Sequence, residues 1–363
     1  MGKKNILFCS PRFATGGIAR WTEYILNFAN GDSESVSLKW YYPNVKGCTT
    51  SKYSLSRLTR GVRSYLPFVM HLSKNLRGMD VAHLSTSASL SAVRDLIAAK
   101  ICRRAGVKTV LHLHCGSTPR QLKGTGLIDK AFRRSLDLCD KIVAMDGKTL
   151  EALQDAGYSN SCYLPNPLSP EVVKAVNKVG DTAREDRKVL FVGHVLDTKG
   201  ARELVEACNG IKDCSLEFMG ECTEEMEREL RGIASEDFNA KMTFRGNLPM
   251  EEVIKGMKQC SVFALPSYSE GFPNVIIESM ACGAPIVATD VGAIAEMLDV
   301  KSQHPCGVCV SPQDSEQLRV AIARLLDYRQ EAEAMGERAR TRVNEVYAMP
   351  VVWKRLKEIW ETV

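Results

Sequence analysis

The chain alternates short runs of consecutive apolar residues with longer stretches in which apolar residues recur every three or four positions. A continuous apolar run is typical of a strand buried on both faces, and the wider spacing is typical of an amphipathic helix. The runs predict strands over 5–9, 36–42, 80–84, 107–113, 141–145, 161–165, 188–193, 214–219, 241–245, 261–265, 285–289 and 307–311. The intervening stretches predict helices over 18–30, 57–77, 88–105, 126–138, 147–156, 200–209, 223–235, 250–258, 274–282, 293–298, 314–327, 330–346 and 351–362.

Strands and helices that alternate in this way favour α/β domains with parallel sheets covered on both faces. The alternation is interrupted between Leu164 and Pro170, where three prolines exclude both a helix and a central strand. We therefore expect two doubly wound Rossmann-like domains joined by a stiff hinge, over 1–165 and 166–350, followed by a last helix over 351–363. Ligands of such sheets bind beyond the carboxyl ends of the strands, so the expected site is a central cleft that both domains face.

The formal net charge of +5 conceals two halves of opposite sign. Residues 1–165 contain 24 basic and 11 acidic residues, a balance of +13, whereas residues 166–363 contain 24 basic and 32 acidic residues, a balance of −8. This difference indicates two domains with different partners. The moderate net charge and the lack of a recognition motif argue against a nucleic-acid partner.

An apolar fraction of 45% and a charged fraction of 25% are those of an ordinary globular protein. No apolar run approaches the ~18–20 residues that span a bilayer, and the first residues enter a strand pattern without a signal-peptide stretch. The thirteen cysteines are scattered, so we expect reduced thiols and a cytoplasmic protein. No Gly-x-Gly-x-x-Gly follows the first strand, which argues against a nicotinamide or flavin enzyme of the usual kind.

The strongest chemical signal is the segment Pro266–Gly283, which directly follows a predicted strand. We expect Pro273 at the first helical position, so that the amides of residues 274–276 point out of the helix and form an anion site. Glu278 then lies about 7–8 Å along that helix. This spacing suits one ligand that places a phosphate on the amides and a ribose diol on the carboxylate. Glu270, in the preceding loop, can hold sugar hydroxyls.

Glu270 and Glu278 have seven residues between them, and the segment resembles the E-x7-E signature of the retaining GT-B glycosyltransferases of glycosyltransferase family 4. The resemblance extends to Val262–Ser267 before the motif and to Ala281–Thr289 after it. It implies a GT-B fold, a nucleotide-diphosphate sugar as donor substrate in the second domain, and retention of the anomeric configuration. It also implies that the last helix, over 351–363, crosses back to the first domain. In such enzymes the second glutamate binds ribose, and the first contacts the donor sugar or supports the transition state. No metal-binding DxD clamp is evident, so we expect neither a catalytic metal nor a cofactor.

The segment Leu190–Gly200 is similar to the family's loop in which an arginine and a lysine grip the donor diphosphate. Lys199 matches the lysine, but His194 stands where the family usually has the arginine. Histidine offers fewer donors than arginine and is only partly charged near neutrality. We therefore expect Lys199 to stabilise most of the leaving-group charge, and His194 to be either a weaker donor or a capping residue.

Two further segments of the first domain match the family. Gly16 and Gly17 lie in a turn after the first strand, where paired glycines let the backbone approach a ligand closely. His112 and His114 point to the same face of the predicted strand 107–113 and its end. His114 matches a histidine that lines the active-site pocket in similar enzymes, and we expect His112 to be a core histidine with a satisfied partner.

The motifs, the resemblance and the charge of the first half together lead us to expect three groups of functional residues. The expected catalytic residues are Glu270, His114 and Lys199. The expected donor-binding residues are Glu278, Lys199, His194, Gly17, Gly16, Gly271, Phe272, Pro273, Asn274 and Val275. Acceptor or membrane contacts are expected from a basic predicted helix that Pro67 interrupts, at Arg57, Arg60, Arg63, Lys74 and Arg77. Such clusters bind phosphorylated acceptors or anionic bilayers, and a merely solvated basic face is the alternative.

Together these features predict a metal-independent retaining glycosyltransferase. It would move a sugar from a nucleotide-diphosphate sugar to a hydroxyl of a glycan or a polyprenyl or other lipid-linked acceptor, in cell-surface polysaccharide or glycolipid synthesis. The expected location is the cytoplasm, with peripheral attachment to an anionic surface at the inner face of the cytoplasmic membrane. A nucleotide-sugar epimerase of similar fold and a non-catalytic scaffold subunit are the alternatives.

Overall fold

The structure, a computed structural model, describes residues 3–12, 17–32, 36–42, 67–88 and 91–363. The chain forms two compact units, the first of Met1–Pro167 together with Met349–Val363, and the second of Leu168–Ala348. Each unit is built on a six-stranded sheet whose neighbouring strands are all parallel. This confirms the predicted fold class of two doubly wound α/β units.

In the first unit the strands follow the order β2-β1-β3-β4-β5-β6. They are β1 Lys4–Cys9, β2 Val36–Trp40, β3 Val81–Thr86, β4 Lys108–Leu113, β5 Lys141–Ala144 and β6 Ser161–Tyr163. The helices are α1 Gly17–Ala29, α2 over residues 67–75, α3 Ser91–Arg104, α4 Thr118–Lys123, α5 Leu127–Leu136, α6 Gly147–Asp155 and the last helix of the chain, α16 Met349–Glu361. Helices α2, α3, α5 and α6 contribute to the core on one face of the sheet, and α1 and α16 to the core on the other.

Helix α16 packs in the first unit. Trp353 and Trp360 are buried beside α1 and the sheet. The ammonium of Lys4 on β1 donates to the carbonyl oxygen of Trp360 over 2.9 Å, and Lys357 pairs with Asp32 over 2.7 Å. The two ends of the chain are thereby held together within one unit.

In the second unit the strands follow the order β12-β11-β10-β7-β8-β9. They are β7 Lys188–Val192, β8 Ser215–Met219, β9 Met242–Phe244, β10 Val262–Leu265, β11 Ile286–Thr289 and β12 Val308–Val310. The helices are α7 Pro170–Val179, α8 Ala201–Asn209, α9 Glu224–Ile233, α10 Glu236–Asn239, α11 Met250–Gln259, α12 Asn274–Ala281, α13 Ile294–Met297, α14 Ser315–Asp327 and α15 Arg329–Arg342. A π-helical turn, Val343–Tyr347, follows α15.

All twelve predicted strands are present, and their ends differ from the predicted ones by at most two residues. The central strands are buried along their length because helices cover both faces of each sheet. The apolar runs were therefore sufficient to locate them.

The helix predictions contain three omissions. Helix α7 begins at Pro170, inside the segment that the sequence predicted to be only a hinge. Ser169 is its N-cap and accepts from the amide of Val172 over 3.1 Å, and a proline in the first turn of a helix forgoes no hydrogen bond. The other omissions are α4, of six residues, and α10, of four residues, which are both too short to show a period.

Candidate active site

Two loops of the second unit lie side by side at one edge of its sheet. Strands β7 and β10 are parallel neighbours, so the loops that follow them, over residues 193–200 and 266–273, leave the sheet at the same edge. Gly200 has φ +71°, and a Cβ at this position would overlap the carbonyl oxygen of Pro266. Only glycine fits this backbone conformation and this close approach. The Tyr268 amide also donates to the carbonyl oxygen of Thr198 over 3.0 Å.

The contact of the two loops joins Lys199 and Glu270. The lysine Nζ donates to Glu270 Oε1 over 2.7 Å, and the side chains are 31% and 13% exposed. Both residues were predicted to be catalytic, and the structure brings them together. The pair places a cation and a carboxylate within one hydrogen bond of each other at the edge where ligands of doubly wound sheets bind.

The backbone beneath Glu270 is fixed from the adjacent loop. Gly292 has φ +56°, and a Cβ there would overlap the carbonyl oxygens of Glu270 and Gly271. The amide of Ala293 donates to the Gly271 carbonyl over 2.9 Å. Thr289 Oγ1 donates to the carbonyl of Ser267 over 2.6 Å. These contacts hold the loop and so restrict the position from which the Glu270 side chain extends.

A hydrogen bond between a side chain of the loop over residues 266–273 and a side chain of α8 was not expected from the sequence. Tyr268 donates through its hydroxyl to Glu203 Oε1 over 2.5 Å. Desolvation and the neighbouring Glu203 carboxylate raise the pKa of Tyr268 to about 12, so the phenol stays protonated and remains a donor at neutral pH. No spacing signal links residues 65 positions apart, and only the strand order could have suggested this contact.

Helix α12 begins at Asn274, as the helix predicted over 274–282 does, but Pro273 does not take the first helical position expected for it. Pro273 is its N-cap, with φ −74° and ψ 109°, and Asn274 is the first helical residue. The amide of Ile276 donates to the carbonyl oxygen of Pro273 over 3.0 Å. The predicted anion site of three amides is therefore wrong for Ile276, because that N–H closes the first turn, and the amides of residues 274 and 275 remain at the helix N-terminus. Glu278 lies in the following turn with a partly exposed side chain.

Of the predicted donor-binding residues in this loop, Gly271 is half-buried and Phe272 is buried. The Phe272 ring packs edge-on against Tyr347, with ring centroids 6.1 Å apart. Phe272 therefore anchors the loop to its own unit through the π-helical turn.

His194 lies in the loop after β7 and is exposed. Its Nδ1 is 3.4 Å from Oε2 of Glu221, which follows β8, and both side chains are more than 60% exposed. The two form an ion pair only when the imidazole is protonated. The sequence did not indicate this carboxylate, which competes with any phosphate for the histidine proton.

In the first unit His114 follows β4 and contacts an aromatic cluster. Trp21 packs edge-on against His112 and His114, with ring centroids 4.7 Å apart in each pair, and the two histidine rings are 4.0 Å apart. Trp360 Nε1 donates to His83 Nδ1 over 3.1 Å, so His83 is neutral and carries its proton on Nε2. Neither Trp21 nor His83 was assigned a role from the sequence.

Burial keeps these three histidines neutral. It lowers the pKa of His114 to about 3, and burial followed by the charge of His114 lowers the pKa of His83 to about 3. The pKa of His112 is also lowered, by burial and by both neighbouring histidines. The expectation that His112 has a satisfied partner is wrong, since neither of its ring nitrogens makes a hydrogen bond. Contacts with the rings of Trp21, His83 and His114 hold it instead.

Several predicted residues lie outside the described part of the chain. These are Gly16, Arg57, Arg60 and Arg63. Gly17 is the first residue of α1, and Lys74 and Arg77 are exposed at the end of α2 and just after it.

Among the described residues, twelve cysteines are free thiols and no group of three His, Cys, Asp or Glu side chains is arranged to hold a metal ion. No helix in the same part of the chain has the length and apolarity of a membrane span.

Comparison with known proteins identifies relatives with this architecture. Residues 174–342 match the family described as glycosyl transferases group 1. The chain is 26% identical over 296 residues to the putative teichuronic acid biosynthesis glycosyltransferase TuaC of Bacillus subtilis, with 74% of this chain and 72% of TuaC covered. It is 28% identical over 256 residues to the D-inositol 3-phosphate glycosyltransferase of Acidothermus cellulolyticus, with 62% and 56% covered.

Among solved structures, Anabaena HepE in complex with UDP matches with a TM-score of 0.69 at 15% identity, over 99% of this chain and 100% of HepE. This likeness shows a shared fold. The family match covers Lys199, Glu270 and Glu278, the residues that the sequence singled out in the second unit. The second unit therefore carries a glycosyl transferases group 1 domain, of the GT4 family, over residues 174–342, and the chain is a glycosyltransferase with the GT-B fold.

Proposed function

We propose that this glycosyltransferase binds a nucleoside diphosphate sugar at the carboxyl edge of the second unit's sheet and transfers the sugar to a hydroxyl of a glycan or lipid-linked acceptor. The observation that carries the proposal is the pairing of Lys199 with Glu270 at that edge over 2.7 Å. TuaC, named for teichuronic acid biosynthesis, supports a role in cell-surface polysaccharide or glycolipid synthesis. Such acceptors suit a cytoplasmic enzyme that attaches peripherally to the membrane.

Lys199 is suited to receive the charge of the leaving group. An ammonium has three N–H donors, and Glu270 occupies one of them. The remaining donors are available to the β-phosphate oxygens, while Glu270 fixes the direction of the ammonium. Because the cation is positioned before the reaction, the protein need not reorganise as negative charge develops on the diphosphate.

The transfer step consists of two bond changes and one proton transfer. The bond between the anomeric carbon and the β-phosphate oxygen breaks, and the electron pair stays on the leaving diphosphate. The acceptor hydroxyl oxygen bonds to the anomeric carbon from the same face, and its proton passes to the leaving phosphate oxygen. Glu270 supports the positive charge that develops on the sugar ring, and no covalent sugar–enzyme bond forms.

The remaining residues of the second unit are assigned to donor binding. Glu278 is assigned to the ribose diol, and the amides of residues 274 and 275 at the start of α12 to a phosphate oxygen. Gly271, Phe272 and Pro273 shape the intervening loop. His194, which lies beside Glu221, is assigned a supplementary hydrogen bond to the diphosphate.

In the first unit, His114 and the turn at Gly16 and Gly17 are assigned to the donor sugar or to the acceptor. The neutral ring of His114 donates or accepts one hydrogen bond to a hydroxyl group without adding charge. Two exposed basic residues of this unit, Lys74 and Arg77, are assigned to an anionic acceptor.

The test is a transfer assay with radiolabelled nucleotide sugars that differ in base and sugar, each with and without polyprenyl-phosphate-linked acceptors. We expect transfer, or slow donor hydrolysis when no acceptor is present, and a product with the anomeric configuration of the donor by NMR. The Lys199→Gln variant should lose this activity, whereas Lys301→Gln, an exposed lysine of the same unit, should retain it. Epimerised nucleotide sugar without transfer would replace the proposal by an epimerase. No turnover of any donor would favour a scaffold subunit.

A further inference from the structure

The described part of the first unit exposes four large apolar side chains, all on one side of its sheet. Their exposed fractions range from 39% to 83%, for Ile97, Val93, Met70 and Leu127 in rising order. They lie on α2, α3 and α5, three helices that cover the same face. Large apolar side chains grouped on one surface are typical of a site that contacts a partner or a membrane.

Each of these helices repeats one exposed pattern. An apolar residue is followed by a basic residue three or four positions later and by a second basic residue seven positions later, which places all three on one side of a helix. The three sets are Met70, Lys74 and Arg77; Ile97, Lys100 and Arg104; and Leu127, Lys130 and Arg134, all of them exposed. Arg77 lies in the turn just after α2.

The topology aligns the three sets. Helices α2, α3 and α5 each precede the next strand of a parallel sheet, so they run in the same direction, opposite to the strands. Helices α3 and α5 pack against each other, and the guanidinium of Arg94 on α3 lies 5.6 Å from the ring centroid of Phe68 on α2. In each helix the apolar member therefore lies nearer the carboxyl edge of the sheet than the two basic members do.

Few acidic groups offset this charge. Helix α2 has none over its described residues, and the one acidic residue of α3, Asp95, is buried and paired with Arg94 over 2.5 Å. On α5, Asp129 accepts from the Gly126 amide over 3.1 Å, and Asp137, just after the helix, is 3.7 Å from Arg134. Lys74, Arg77, Lys100, Arg104 and Lys130 therefore remain as a net positive surface.

We infer that the outer surface of α2, α3 and α5 docks on an anionic lipid bilayer. Apolar side chains that enter the interface beside basic side chains that meet anionic headgroups are the combination that binds such surfaces. A second copy of the chain is a poor occupant, because the segments of this unit hold 27 basic and 13 acidic residues and would repel each other. Docking would bring a lipid-linked acceptor within reach, and for the identity of this acceptor the inference rests on the proposed function. The docking itself rests on the three helices.

The docking is tested by sedimentation of the full chain with vesicles of phosphatidylcholine alone or mixed with phosphatidylglycerol. We expect binding to the mixed vesicles at low salt and release at high salt. Lys100→Gln/Lys130→Gln should bind about 25-fold more weakly, since each basic residue near an anionic surface is worth about fivefold in affinity. The matched control Arg20→Gln/Lys354→Gln removes two exposed charges from α1 and α16, on the opposite face, and should bind as wild type.

The apolar contribution is tested with Leu127→Ser, which should weaken binding about tenfold. Its control, Val320→Ser, changes an exposed residue of α14 in the other unit and should have no effect. Equal losses in the charge variant and its control, or salt-insensitive binding to phosphatidylcholine, would overturn the inference. Self-association that Leu127→Ser abolishes would do so as well, in favour of a second copy.

The same variants separate docking from the proposed function. Lys100→Gln/Lys130→Gln should retain transfer to a detergent-soluble acceptor analogue and lose it, in proportion to binding, with acceptor embedded in vesicles. Transfer without vesicle binding would overturn the docking and leave the proposed function standing. Vesicle binding without transfer to any acceptor would leave the docking standing and overturn the proposed function.

Discussion

The ammonium of Lys199 lies 2.7 Å from Oε1 of Glu270, although 71 residues separate them in the sequence. Strands β7 and β10, which the two loops follow, are neighbours in the sheet, and Gly200 lets the loops touch. Both side chains are mostly shielded from water. Interactions between charges are stronger in such a shielded environment than in bulk solvent. Each charge therefore orients the other, and the two should act on catalysis as a unit.

The first prediction concerns this coupling. Lys199→Gln removes the cation that meets the leaving diphosphate and should lower kcat about 10²–10³-fold, as for other groups that stabilise developing charge. Glu270→Gln should lower kcat severely as well, because it removes the carboxylate beside the sugar and releases the lysine. The double variant should fall well short of the product of the two losses, since contacting groups are not additive. Initial rates of sugar transfer would measure this, and fully independent effects would contradict the coupling.

A different effect is expected at Glu278. Glu278→Gln removes a charged acceptor from the proposed ribose site, and hydrogen bonds to charged groups are worth about 1.5–3 kcal/mol. Donor and nucleoside diphosphate affinities should fall about 10- to 100-fold by calorimetry, with a smaller change in kcat at saturating donor. Glu206→Gln, an exposed carboxylate on α8, is the matched control. Wild-type nucleotide affinity in the Glu278 variant would end the ribose assignment.

Gly292 offers a test of the backbone beneath Glu270. An alanine there would need a left-handed conformation, which costs about 1–2 kcal/mol, and its Cβ would displace the carbonyls of Glu270 and Gly271. Gly292→Ala should therefore lower the free energy of unfolding by about 2 kcal/mol or more and reduce kcat. Gly232→Ala, in the exposed α9 with nothing within 4 Å, should instead stabilise the protein by about 0.5–1 kcal/mol. Urea unfolding and initial rates of sugar transfer, measured on both variants, test this prediction.

The fold was predictable because its strands are continuous apolar runs, and β3, β10 and β11 are buried along their whole length. The positions of Lys199, Glu270 and Glu278 were predictable because each lies just beyond such a run or on the helix after it. Pairings between loops were not predictable to the same degree. They depend on β7 lying beside β10 and not beside β9, an order that local pattern does not encode.

Contacts with partner residues outside the motifs were missed for the same reason. Tyr268 meets Glu203, His194 meets Glu221 and Trp360 meets His83 only after distant segments are brought together. The N-cap position of Pro273 was missed by one residue, because a proline is compatible with both the cap and the first turn, and the hydrogen bond from the Ile276 amide decides between them.

The last prediction follows from the buried histidines of the first unit. Their ordinary pKa is about 6.5, and burial lowers the pKa of His83 and of His114 to about 3 in the folded state. Between these values the unfolded chain binds protons that the folded chain does not. The contribution of these neutral histidines to the free energy of unfolding is therefore complete above about pH 6.5, and it declines as the pH falls toward 3.

Tryptophan fluorescence reports this unit selectively, because Trp21, Trp40, Trp353 and Trp360 all belong to it. A single histidine that stays neutral down to pH 5 destabilises the folded state by about 2 kcal/mol relative to pH 7. His112→Phe removes one such group without breaking a hydrogen bond, since neither ring nitrogen of His112 has a partner, and should reduce the loss of stability between pH 7 and pH 5 by about that amount. His304→Gln, an exposed histidine of the other unit, should leave the fluorescence-detected urea transition of the first unit unchanged. A wild-type pH dependence in His112→Phe would mean that His112 is already protonated or hydrated in the folded protein, contrary to its burial between Trp21 and His83.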